Sequence, residues 1–156
     1  LKTLAGLPSH VRFGIMDFNH QIGFFGSAPP PLPSLDKPIQ HAQTPALMFA
    51  SKANKQKAAD WVRTLKPSGA TRTDLAISRA SGIPDIDTIY LLTDGTPRDE
   101  KNQKIAPDLV LGIAKMQNRF RKARIHTVGF AQAGSTMQKL CRDLAGQNDG
   151  KCVLLE

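Results

Sequence analysis

The 156-residue chain predicts an α/β domain: a mostly parallel sheet with helices on both faces, three layers in all. Three observations lead there. Ile89-Tyr90-Leu91-Leu92 is an unbroken apolar run that Thr93-Asp94-Gly95 ends with a turn, the pattern of a strand buried on both faces of a parallel sheet. Apolar stripes at i, i+3, i+4 and i+7 recur on either side of it, each long enough for a helix. From residue 51 onward the order reads helix, helix, strand, helix, strand, helix, strand, and such alternation supplies the crossovers that parallel strands need.

Taken in order, Leu1 to Leu7 reads as the last turns of a helix whose beginning is absent, so the chain reads as N-terminally truncated and no targeting segment can be recognised. Val11 to Phe18 alternates as a strand, with Val11, Phe13 and Ile15 on one side. Asn19-His20 serves as a two-residue turn and Gln21 to Phe25 as the returning strand, an antiparallel hairpin at one edge of the sheet. Ser27 to Pro38 holds Pro29, Pro30, Pro31, Pro33 and Pro38, which dictates an extended surface loop and a stiff connection. Leu47 to Ala50 is a strand stub. Ser51 caps a helix whose inward stripe is Ala58, Trp61, Val62 and Leu65, and Pro67-Ser68-Gly69 ends it.

Gly69-Ala70-Thr71-Arg72-Thr73-Asp74 leads into a second helix with Leu75, Ala76 and Ala80 inward, closed by Gly82-Ile83-Pro84-Asp85. Past the central strand, Pro107 is placed as the first residue of a long helix whose buried stripe is Leu109, Ile113, Met116 and Phe120. Ile125 to Phe130 is a strand. Ser135 begins a helix with Met137, Leu140, Cys141 and Leu144 inward, Gly146 to Gly150 turns the chain, and Cys152 to Leu155 is the last strand. Residues 1–156 read as one domain without an internal repeat.

A hydrophobic content of 40% and a charged content of 22% are those of an ordinary globular chain, and no apolar run reaches the ~18 residues that a membrane span needs. The net charge of +8 raises a nucleic-acid reading, since clustered Lys and Arg are the footprint of phosphate binding. The basic residues are scattered, however, apart from Arg119-Phe120-Arg121-Lys122-Ala123-Arg124. That run falls at the expected end of a helix, where cations complement the dipole, so nucleic acid is not the partner the charge favours. Cys141 and Cys152 are too few for a disulfide framework and not spaced as a metal knuckle; they read as small core residues, with a bridge between them left open, as is the redox compartment.

Chemistry has one natural place. Gly69-Ala70-Thr71 and Thr93-Asp94-Gly95 are polar loops that can converge at the carboxyl edge of the sheet, where open α/β sheets bind ligands. A hydroxyl from Thr71 and a carboxylate from Asp94 suit a hard cation such as Mg²⁺. Gly69, Arg72, Gly95 and Thr96 would line the rim. His20 is a turn residue. Asp85-Ile86-Asp87-Thr88 imitates the Asp-x-Asp-x-Thr motif of haloacid-dehalogenase-type phosphatases, but it precedes its strand instead of following it, on the edge away from Asp94. His10, His20, His41 and His126 form no triad-like arrangement with a serine or cysteine. An enzyme is therefore not expected.

These stretches, Gly69 to Ala76, Ile89 to Gly95 and Ile125-His126-Thr127-Val128-Gly129-Phe130, with the closing Leu144-Ala145 and Gly150-Lys151-Cys152-Val153, resemble a von Willebrand factor type A (vWA) domain, the module also found as integrin inserted domains. The resemblance runs through nearly the whole chain. It implies a Rossmann-like, doubly wound fold and a non-enzymatic protein- or ligand-binding module. Its metal-ion-dependent adhesion site would hold Mg²⁺ (or Mn²⁺ or Ca²⁺) and take an acidic side chain of a protein partner. Thr71 matches the Gly-x-Thr threonine of that site and Asp94 the Thr-Asp-Gly aspartate. The Asp-x-Ser-x-Ser loop of the family has no counterpart here, and Asp17-Phe18-Asn19-His20 is no substitute because it belongs to the hairpin. The resemblance places that loop upstream of Leu1, with the first central strand and most of the first helix, and so implies a partial site with weak or no metal binding. A cell-surface or extracytoplasmic parent fits the family. The alternatives are a metal-independent vWA scaffold for protein assembly and, behind it, a basic nucleic-acid binder.

Overall fold

A computed structural model describes residues 2–25, 46–130 and 134–155. The extended loop expected over 27–38 lies outside the described residues, as does His41. The chain divides into two compact units, residues 1–17 with 22–68, and residues 18–21 with 69–156.

The first unit holds α1 (Lys2–Ala5), β1 (Arg12–Phe13), β2 (Met16–Phe18), β3 (Ile22–Phe24), β4 (Met48–Phe49) and α2 (Lys52–Thr64). The strand expected over 11–18 is two short strands, because Gly14 interrupts it. β1 pairs with β4 antiparallel, Arg12 opposite Phe49 and Phe13 opposite Met48, and β2 pairs with β3 in a separate two-stranded sheet. The hairpin is thus not the antiparallel edge of the parallel sheet: its ladder runs between its own two strands. Its turn is also one residue longer than expected. The Asn19 side chain accepts the Gln21 N–H at 2.7 Å and the Asn19 N–H donates to the Gln21 carbonyl at 2.9 Å, an Asx link that closes a three-residue turn.

Ser51 caps α2 as expected, its Oγ accepting the Asn54 N–H at 3.2 Å. Phe13, Ala50 and Ala58 form the buried centre of this unit, with Leu4, Leu7, Ile15, Phe25 and Met48 packed against it. Trp61 is half-buried, its ring 5.8 Å from that of Phe25, whereas Leu65 sits past the helix end and is exposed. The Lys55 ammonium donates to the carbonyls of Ala5 (2.9 Å) and Leu7 (3.0 Å), serving the open end of α1.

The second unit holds α3 (Thr73–Ser81), β5 (Thr88–Leu92), α4 (Pro107–Asn118), β6 (Arg124–Phe130), α5 (Gly134–Gly146) and β7 (Cys152–Leu155). The strands lie in the order β5-β6-β7, all parallel, with Leu91 beside Thr127 and Thr127 beside Cys152. Period-two alternation then sorts the side chains. Ile89, Leu91, Ile125, Thr127 and Gly129 are buried, and α3, α4 and α5 cover them with Ile77, Val110, Ala114, Met137, Leu140 and Leu144. The Thr127 hydroxyl donates to the Cys141 carbonyl at 2.9 Å, and a Cβ on Gly129 would stand 3.2 Å from the Cys141 sulfur. A side chain at position 129 would have to displace these neighbours.

The opposite face corrects the first expectation. Tyr90 is 61% and Leu92 62% exposed, and Phe130, Val153 and Leu155 are exposed beside them. The strand at 88–92 is therefore buried on one face only, because the described helices of this unit all lie on the other. Its apolar run is continuous in sequence yet alternates in space.

The long helix α4 is also turned from the expected side. Pro107 opens it, as anticipated. Its buried row, however, is Val110, Ala114 and Asn118, while Leu109, Met116 and Phe120 are exposed and Ile113 is half-buried. Asn118 decides the orientation. Its amide donates to the Ala123 carbonyl (2.7 Å) and to Asn148 Oδ1 (2.8 Å), and its oxygen accepts the Ala123 N–H (2.8 Å). Asn148 in turn donates to the Leu144 carbonyl at 2.8 Å. This buried clip ties the ends of α4 and α5 to the start of β6, and the small Val110 and Ala114 let the helix come close. The basic run lies beyond α4 instead of on its last turn: Arg121 donates to the Ile83 carbonyl, Lys122 takes φ +51°, and Arg124 opens β6. Among the described residues no helix is long and apolar enough to cross a membrane.

Candidate functional site

β5 ends at Leu92, but the Thr93 N–H still joins the ladder, donating to the Val128 carbonyl at 3.0 Å. The Thr93 hydroxyl then donates to the Gly95 carbonyl at 3.3 Å, which turns the chain and leaves Asp94 exposed. The segment before α3 arrives at the same place. A Cβ built on Gly95 would lie 3.2 Å from Thr71 Oγ1, so the Thr71 hydroxyl faces the residue after Asp94. Gly69 adopts φ +74°, a conformation glycine favours, and a Cβ there would come within 2.4 Å of His20 Nδ1 and push that exposed ring aside. The Asn19 carbonyl accepts the Arg72 N–H at 3.2 Å, and the Thr71 carbonyl accepts those of Thr73 (2.9 Å) and Arg98 (3.0 Å). The structure thus gathers the hairpin tip, Gly69 to Arg72, Asp94-Gly95 and Arg98 at the carboxyl end of β5. Thr96 is half-buried next to them.

Electrostatics here centre on a group the sequence reading had placed only on the rim. Arg72 precedes α3 and caps it without a side-chain bond. Its guanidinium instead clasps Asp74, Nε and Nη2 lying 3.0 and 2.9 Å from the two carboxylate oxygens. Its Nη1 pairs with Glu100. The side chains of Arg72 and Asp74 are only 15% and 9% exposed, whereas Glu100 is 57% exposed. The Asp74 hydrogen bonds raise the Arg72 pKa above its ordinary value, and the charges of Asp74 and Glu100 add to this against the opposing effect of burial. Asp74 and Glu100 escaped the sequence reading because ion pairs across a loop leave no periodic signal; the only clue was Arg-x-Asp at a helix start.

Glu100 comes from a rigid loop. The Asp99 carboxylate accepts the Lys101 and Gln103 N–H groups at 2.9 and 2.8 Å, Asn102 takes φ +61°, and the Ile105 N–H closes onto the Pro97 carbonyl at 2.9 Å. With Arg98 bound to Thr71 and Glu100 to Arg72, the 97–105 loop is fastened to the 71–72 segment at two points.

Whether this rim fits a metal ion follows from its donors. The Thr71 hydroxyl stands beside Gly95 and the Asp94 carboxylate is exposed, while Asp74 is committed to Arg72. Among the described residues no group of three or more His, Cys, Asp or Glu side chains could hold an ion. Mg²⁺ demands near-octahedral oxygen coordination, and the described residues do not complete such a site. Elsewhere, Asp85 takes φ +59° in the turn before β5, so the phosphatase-like motif precedes its strand as the sequence indicated. Cys141 and Cys152 are free thiols. Burial pushes Cys141 up to about 11, and the nearby Cys152 adds to the rise.

The fold is that of an α/β protein with a three-stranded parallel sheet, and polar loops gather at the carboxyl end of β5. No family model matches the chain. Over 98 residues, 63% of this chain, it is 28% identical to von Willebrand factor A domain-containing protein 3B of Homo sapiens, and the match spans 7% of that protein. This distant, partial similarity points to a vWA-like domain.

Proposed function

We propose that the chain is a vWA-type protein-interaction module, a binding domain and not an enzyme, which meets its partner at the rim formed by Gly69, Thr71, Arg72, Asp94, Gly95 and Thr96. The carrying observation is the 3.2 Å approach of Thr71 Oγ1 to the Cβ position of Gly95, which brings two separate polar loops to one point at the sheet's carboxyl end. A three-layer, doubly wound form belongs to the same reading.

In the metal-dependent form of this reading, Thr71 and Asp94 would be the side chains that hold Mg²⁺, and the ion would supply a Lewis-acid position for a partner's carboxylate. The donor count favours the other form, a metal-independent scaffold. There the positive charge at the rim is Arg72, fixed in direction by Asp74. Calorimetric titration with MgCl₂ separates the two: no saturable heat below millimolar concentration is expected, and sub-millimolar affinity lost in Asp94→Ala would restore the metal. Retention of partners from an extract of the source cells tests the rim itself. Partners held in EDTA as in Mg²⁺, and lost on Thr71→Ala/Asp94→Ala, are expected; partners held equally by the double variant would refute the rim as the binding surface.

A further inference from the structure

We infer that the outward face of α4 is a second docking surface, shaped for an acidic amphipathic helix of another protein. Leu109, Met116 and Phe120 are 53, 66 and 85% exposed, with half-buried Ile113 between them. Leu109, Ile113 and Met116, at steps of four and three, share one stripe of α4, and Phe120, four residues further, stands in the turn just past the helix end, so the row is a seam that a second helix can read. Surface apolar residues scattered singly are ordinary, but a continuous row of large ones is a contact waiting for a neighbour. Gly112 lies at the edge of the row, and a Cβ there would meet nothing within 4 Å, so a partner's side chain has room to enter.

The charge around the stripe selects the partner. Arg119 follows α4 at the Met116–Phe120 end of the row and makes no ion pair among the described residues. Arg119 lies 5.2 Å over the Phe120 ring, Lys122 follows, and Arg79 is exposed on the neighbouring α3. The single acid of α4, Asp108, lies in its first turn, in the same row as Lys115 and toward Lys139 of α5, so no acid of the helix lies beside Met116 and Phe120. A second copy docked stripe to stripe would bring cations toward cations. A helix with leucines along its seam and glutamates beside them would bury the row and pair its edge. Met and Phe are also residue types that carry binding energy at such contacts.

The surface is separate from the rim, so the two readings fail separately. The test uses two fluorescent peptides of about 20 residues, long enough for the three turns required, with Leu at a and d and either Glu or Lys at e and g. Fluorescence anisotropy is expected to show the Glu peptide binding at least about tenfold tighter than the Lys peptide, with the difference shrinking as salt rises. Met116→Asp/Phe120→Asp should cost about tenfold or more in affinity. Both side chains point to solvent, so the fold is kept, which circular dichroism checks. Leu155→Asp on the exposed sheet face and Asp94→Ala at the rim should bind as the unaltered chain does. Equal binding of both peptides, loss of binding in Leu155→Asp, tighter binding to phosphatidylserine vesicles than to the Glu peptide, or self-association relieved by Met116→Asp/Phe120→Asp would each overturn the inference.

Discussion

Removing the cation from the Arg72–Asp74–Glu100 cluster tests the electrostatic account of the rim most directly. Arg72→Met keeps much of the side chain's bulk and deletes its charge. Asp74, with 9% of its side chain exposed, then loses its hydrogen-bonded cation. Breaking one partner from a buried pair costs about 3 kcal/mol. Asp74 lies in the first turn of α3, whose dipole returns up to about 1 kcal/mol, so a net loss of about 2 kcal/mol is expected. In Arg72→Met/Asp74→Leu no charge is left stranded, and stability should come back to within about 1 kcal/mol of the unaltered chain. Urea unfolding of the four proteins in the cycle gives the coupling, expected near 2 kcal/mol and little changed by salt. Glu100→Gln is the contrast. With 57% of the Glu100 side chain in solvent, its loss should cost at most about 0.5 kcal/mol and fade in high salt. A coupling below about 0.5 kcal/mol, or a Glu100→Gln cost equal to that of Arg72→Met, would refute the division into an inner pair and an outer arm.

Further outcomes concern the buried clip and the buried thiol. Asn118→Ala removes three hydrogen bonds and strands the Ala123 and Asn148 groups, so a loss of about 3 kcal/mol in urea unfolding is expected; Phe120→Asp, two residues on, should cost no more than about 0.5 kcal/mol. The Cys141 thiol is held at about 11, above its ordinary value of 9.0. The folded state therefore favours the protonated form. This contribution is intact below pH 9 and lost as pH rises toward 11, a fall of about 2 kcal/mol that Cys141→Ala should abolish. At pH 8 alkylation of Cys141 should lag well behind that of Cys152, which is half-buried.

The elements were legible where local chemistry and burial agree. Ser51 announced α2, Pro107 announced α4, and the spacing of Met137, Leu140, Cys141 and Leu144 matched the buried side of α5. Periodicity failed at α4 because two rows of that helix are apolar and the polar Asn118 chose between them; a hydrophobic count scores Asn118 as outward, whereas its three hydrogen bonds require it inside. It failed in another way at β5, where an unbroken run hid an alternation set by which face the helices cover. The rim was legible as two polar loops, Gly69 to Thr71 and Thr93 to Gly95. The glycines at 69 and 95 could be flagged as close approaches, but not that His20 and Thr71 are what approach them. Glu100 was beyond reach, since its pairing with Arg72 joins residues 28 apart through a loop with no regular period.

The two aromatic reporters fall one to each unit. The chain's single tryptophan, Trp61, rests beside Phe25 in the first, and its single tyrosine, Tyr90, is stacked 4.8 Å from the His126 ring in the second. Nature has in effect labelled the halves with different dyes. Indole emission, excited where phenol is dark, reports melting of the helix that carries Trp61, while the near-ultraviolet dichroism of Tyr90 reports loss of the parallel ladder. Superimposable curves would mean one cooperative transition for all 156 residues; separated curves would give each half its own midpoint from a single unmodified sample.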